Sequence, residues 1–113
     1  MYTIGIEEEF FVFDAKTRRA VRRLDRKFLS GIQKQLGERV TTEMLQSQIE
    51  VVTPPCATTA EARAHLAGSR STLGQAAAER KLGLAAMGTF PLAFWPEQKV
   101  TPKARYGAIM DDL

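Results

Sequence analysis

The chain has a single cysteine, Cys56, so no internal disulfide can form and packing alone must hold the fold. One lone thiol suits a reducing compartment. The start, Met1-Tyr2-Thr3-Ile4-Gly5-Ile6-Glu7, has neither a basic region nor an apolar stretch of the secretory-leader kind. No apolar run reaches the roughly 18 residues that a membrane-spanning helix needs. These absences lead to the expectation of a cytoplasmic protein with no membrane partner. The one histidine, His65, has no Asp or Cys at ligand spacing and reads as helix surface. Cys56 follows two prolines without a histidine partner and reads as a small residue rather than a nucleophile. Gly83 and Gly88 make no phosphate-loop pattern. There is no internal repeat and no linker, and 113 residues suit one small unit.

What is present is ordinary for a soluble globular chain: 44% hydrophobic and 26% charged residues. Six Phe, two Tyr and one Trp argue against intrinsic disorder. The net charge is +3, and much of the positive charge lies between Lys16 and Lys27 and between Arg63 and Lys81. The first segment holds Lys16, Arg18, Arg19, Arg22, Arg23, Arg26 and Lys27. No aromatic residue interleaves it and no nucleic-acid motif accompanies it, so it reads as a solvated or phosphate-facing surface, without a nucleic-acid partner.

Hydrophobic periodicity divides the chain. Thr3 to Phe13 alternates as a strand, with Ile4, Ile6, Phe10 and Val12 on one face and Glu7, Glu9, Phe11 and Phe13 on the other. Asp14 to Thr17 reads as a turn, and Ala20 to Leu24 as a short return strand or a lead-in. Leu24, Phe28, Ile32 and Leu36 recur every four residues, which predicts a helix over 24–36, closed by Gly37. Val40 to Thr53 reads as a second strand region with a bend, ended by Pro54-Pro55. Thr58 and Glu61 form a capping box, opening a long helix to about Lys81 with Ala62, Leu66, Ser69, Leu73 and Ala76 or Ala77 as its stripe. Leu82 to Met87 reads as a short buried strand, Pro91 to Pro102 as a loop past Trp95, and Ala104 onward as another helix. Alternating strands and helices predict a mixed α/β, or α+β, fold.

Three consecutive carboxylates, Glu7, Glu8 and Glu9, are unusual in a strand, where Glu is depleted. Period-two geometry puts Glu7 and Glu9 on one face and Glu8 on the other. Two like charges so close raise each other's pKa unless a cation neutralises them, and a hard divalent ion such as Mg2+ or Mn2+ is the natural partner. The plain alternative is an edge strand carrying solubilising charge. Glu50 sits among Ile49, Val51 and Val52, with Gln48 on its own face. If its strand neighbours the first, Glu7, Glu9 and Glu50 converge. Glu43 has the opposite parity, so a bend or bulge must intervene for it to join them.

The strand Gly5-Ile6-Glu7-Glu8-Glu9-Phe10 resembles the opening motif of the type-2 glutamate–cysteine ligase family, the bacterial carboxylate–amine ligases. The stretch Gln46 to Pro54 is similar to its second motif. Glu61-Ala62-Arg63, Gly88-Thr89 with Pro91, and Val100-Thr101-Pro102 leading to Arg105-Tyr106 continue in family order. The resemblance implies a glutamine-synthetase-like catalytic domain, a largely antiparallel sheet with helices on one face. It implies that ATP phosphorylates the γ-carboxylate of a glutamate-like substrate and that an amine, cysteine or another, attacks the acyl phosphate. It implies Glu7, Glu9 and Glu50 as catalytic residues and metal ligands for Mg2+ or Mn2+, with Glu43 as a further metal ligand. Gln48, Arg105 and Tyr106 are implied as contacts for substrate or ATP.

Phe90 departs from the family's Gly-Thr-His-Pro turn. Family members are also much longer, so residues 1–113 are expected to form the N-terminal part of a single ligase domain, truncated. Two other readings stay open: a non-catalytic, degenerate homologue, and a binding module using the Lys16–Lys27 patch. An uncovered sheet edge makes a homo-oligomer a further expectation.

Overall fold

A strand that alternates two kinds of side chain needs two different surroundings, and the central strand of this protein has them. The computed structural model describes residues 1–112. In it, β1 (Glu7–Asp14) lies between β3 (Gln48–Val52) and β4 (Leu82–Ala86), with β2 (Val40–Thr42) outside β3. All three pairings of this four-stranded sheet are antiparallel. Helices α1 (Arg26–Leu36) and α2 (Thr59–Glu79) cover one face, and α3 (Ala104–Asp111) follows a loop with a short 3-10 turn at Trp95–Glu97. The expected fold class is therefore observed. No helix among the described residues is long and apolar enough to cross a membrane.

The core lies between the helices and one side of the sheet. Phe10 and Val12 of β1, Ile49 and Val51 of β3 and Val40 of β2 meet Phe28, Ile32 and Leu36 of α1 and Leu73 and Ala77 of α2. The α1 stripe is the one its four-residue spacing predicts. Asp25 caps its start, its carboxylate accepting from the Phe28 N–H at 3.3 Å, and Gly37 ends it with φ 61°, a conformation that favours glycine. Helix α2 starts at the predicted box: Thr58 Oγ1 accepts from the Glu61 N–H at 3.2 Å, and Glu61 reaches back to the Ala57 N–H at 2.7 Å. Glu8 points to the helix side, where Arg70 of α2 grips its carboxylate with two donors. That bidentate pair ties α2 to β1.

Three segments differ from expectation. The first strand is paired in full only from Glu7, because the chain opposite its start runs through Pro54 and Pro55, which have no N–H to give. A single Ile4–Cys56 bridge remains there. The region over 40–53 is a hairpin of two strands rather than one bent strand, with Glu43 to Ser47 making the reversal. Ala20 to Leu24 keeps one bridge, Ala20 to Phe13, before turning into α1.

The second face of the sheet has an aromatic end. Phe90 stacks on Phe11 at 5.6 Å and on Phe13 at 5.8 Å between ring centroids. Phe13 lies across Gly83, its partner in β4, and a Cβ at 83 would enter the Phe13 ring. Gly83→Ala is expected to displace that ring from its stack and cost about 1 to 3 kcal/mol, read as a lower urea midpoint at unchanged m-value.

Candidate functional site

The other end of this second face is acidic. In the β1–β3 register Glu9 stands directly opposite Glu50, and Glu7 opposite Val52. Thr41 of β2 flanks Glu50 on its other side. Glu43 leaves β2 just past Thr42, and the reversal of the hairpin brings it back beside Glu50. A carboxylate oxygen from each of Glu9, Glu43 and Glu50 lies within 4.8 Å of the other two. The parity mismatch of Glu43 is thus resolved by a chain reversal.

Three carboxylates at this spacing repel one another. Burial, first, then the hydrogen bond and charge of Glu43, then the charges of Glu7 and Glu9 push the Glu50 carboxyl up from 4.5 to about 6. An all-oxygen, anionic donor set of this kind fits a hard divalent cation such as Mg2+ or Mn2+, and fits a thiophilic ion poorly. Glu7 is exposed on the same face, one row beyond the group of three.

The remaining predicted residues are placed less uniformly. Gln48 is buried, and its side-chain oxygen accepts from the Leu45 N–H at 3.1 Å, holding the hairpin reversal. Tyr106 is buried, and its hydroxyl donates to Glu43 Oε1 at 3.2 Å. Arg105 is exposed, with its guanidinium 5.0 Å from the Tyr106 ring centroid. Sequence reasoning marked the segment from Val100 to Tyr106 by resemblance but missed that it braces the Glu43 loop. The Thr101 N–H donates to the Met44 carbonyl at 2.8 Å, Gln46 Nε2 donates to the Val100 carbonyl at 2.9 Å, and Lys103 Nζ donates to the Thr42 carbonyl at 3.2 Å. These partners lie more than 50 residues apart, and no local pattern announces such a contact.

Residues 3–112 match the family model described as glutamate–cysteine ligase family 2. The chain belongs to that family. Among its relatives is a protein of Ectopseudomonas mendocina, provisionally named glutamate–cysteine ligase 2, 44% identical over 110 residues, which are 97% of this chain and 29% of the relative. Proteins with the same provisional name from Chloroflexus aurantiacus and Pseudomonas fluorescens are each 38% identical, over 99% and 97% of this chain and 28% of their own length. The chain therefore spans less than a third of the curated relatives it matches.

Glu50 makes the stability of the fold depend on pH. Its folded-state pKa lies above the ordinary one, so the protonated carboxyl is the form that folding favours. Its stabilising contribution is complete below about pH 4.5 and is lost as pH rises through about 6. Glu50→Gln removes the charge at all pH values. Without divalent cations, the variant is expected to melt higher than the unmodified protein at pH 7.5 and level with it at pH 4, by calorimetry at both values.

Proposed function

We propose that this chain carries the cation-binding part of an ATP-dependent carboxylate–amine ligase that forms a γ-glutamyl amide. The observation that carries the reading is the convergence of Glu9, Glu43 and Glu50 on one side of an antiparallel sheet, with oxygens within 4.8 Å of one another, in a chain of the glutamate–cysteine ligase family 2. The glutamine-synthetase-like architecture belongs to the same proposal, supported by the antiparallel sheet with both long helices on one face.

In this reading Glu9, Glu43 and Glu50 hold Mg2+ or Mn2+, and Glu7 stands at the rim. When bound, the cation neutralises charge on the ATP phosphates. The γ-carboxylate oxygen of the glutamate-like substrate takes the γ-phosphoryl group and ADP leaves. The amine nitrogen, of cysteine or another acceptor, then forms the C–N bond at the acyl carbon and phosphate leaves. The chain's own residues orient these groups. Arg105 offers a planar pair of donors suited to a carboxylate or phosphate. The stacked rings of Phe11, Phe13 and Phe90 make the other end of the same face apolar. Gln48 also holds the hairpin reversal, through the Leu45 N–H.

Glu9→Gln and Glu50→Gln are each expected to lower cation-dependent, amino-acid-dependent ADP release by about a hundredfold, since removing several kcal/mol of charge stabilisation costs a factor of ten for each 1.4 kcal/mol. The assay is ADP formation with Mg2+, ATP, glutamate and cysteine, using the purified protein. Full activity in the double variant would sink the reading.

A further inference from the structure

We propose that Tyr106 is a positioning residue: it holds Glu43 in the group of three carboxylates and acts on the bound cation only through that residue. The proposal rests on the reading of Glu9, Glu43 and Glu50 as a cation site.

Glu43 is the carboxylate least supported by its own strand. It sits just past the end of β2, on the reversal, while Glu9 and Glu50 are fixed by mutual register in the sheet. The backbone of the reversal is held from outside by Thr101, whose N–H donates to the Met44 carbonyl at 2.8 Å and whose hydroxyl donates to the Glu43 carbonyl. The side chain needs a separate restraint. Its Oε1 accepts from the adjacent Met44 N–H at 2.9 Å and from the Tyr106 hydroxyl at 3.2 Å. Both donors fall on one oxygen. Neither of these donors falls on Oε2.

Tyr106 is suited to this task and to little else. It is 3% exposed, so its ring offers almost no surface to a substrate. A buried phenol hydroxyl needs a partner, and here that partner is Glu43. Two cations brace the ring: Arg105 lies 5.0 Å and Lys103 5.2 Å from its centroid. Arg105 Nη2 also donates to the Tyr106 hydroxyl at 3.4 Å, which orients the O–H toward Glu43. Residues that orient a metal ligand without touching the metal change affinity by about 10- to 100-fold when removed.

Mn2+ titration of the purified protein, with free Mn2+ followed by electron paramagnetic resonance, tests this. The variants are Tyr106→Phe, which keeps the ring and removes only the hydroxyl, Glu43→Gln, their double combination, and Glu50→Gln. Tyr106→Phe is expected to raise the Mn2+ Kd about tenfold and to add nothing on the Glu43→Gln background, the non-additivity of one shared pathway. A Tyr106→Phe variant that melts earlier but binds Mn2+ as tightly as the unmodified protein, while Glu50→Gln loses affinity, would overturn the proposal and leave the cation site standing. Additive losses in the double variant would also overturn it. If Glu50→Gln and Glu43→Gln bind Mn2+ as the unmodified protein does, the cation site itself falls, and the role of Tyr106 with it.

Discussion

Strand β1 has a partner on each side, so it cannot slip by one residue without exchanging its two faces. That constraint organises the molecule. One parity of β1 carries Phe10 and Val12 into the core beneath the helices. The other carries Glu7, Glu9, Phe11 and Phe13 to the opposite side. A slip would turn Glu7 and Glu9 toward Phe28 and Ile32 and put Phe10 in water, at a cost of several kcal/mol for each buried charge. The core thus fixes the acidic face without touching it. The Arg70–Glu8 pair adds to this lock, since Glu8 meets the guanidinium only in the observed register.

The same arrangement is costly in the isolated fold. Glu9 and Glu50 face each other across neighbouring strands, a pairing of like charges that sheets normally avoid. Glu43 is then brought to the same point by the hairpin reversal and held there by Tyr106. Under the proposed reading, a cation supplied from outside offsets the repulsion of these three anions. Phe90 follows the same division of the face. Where the family resemblance leads one to expect a polar turn residue, this chain has an aromatic ring stacked on Phe11 and Phe13, which closes the apolar half.

Much of the frame was legible in the sequence, because its signals are local. The four-residue spacing of Phe28, Ile32 and Leu36 set α1, and the Thr58–Glu61 box set the start of α2. Period-two alternation assigned Glu7 and Glu9 to one face and Glu8 to the other. Pairing partners were not legible, because they lie far apart in the chain. The parity argument for Glu43 called for a bend or bulge, and the chain meets it with a full reversal between β2 and β3. Gln48 and Tyr106 were singled out by resemblance as contacts for substrate or ATP. Their burial and their bonds to Leu45 and Glu43 show structural engagements that composition and spacing could not reveal.

The bracing of the Glu43 loop by residues 99–106 also imposes an order on assembly. Glu9 and Glu50 are paired once the hairpin closes on β1, a contact spanning about 40 positions of chain. The third carboxylate is held only after the segment that ends in Tyr106 has been made and folded back over the reversal, a contact 63 positions long. Loop closure over such distances is slow compared with helix formation. During synthesis β1 and β3, which set Glu9 opposite Glu50, are therefore made before the segment that braces the third carboxylate is added to the chain.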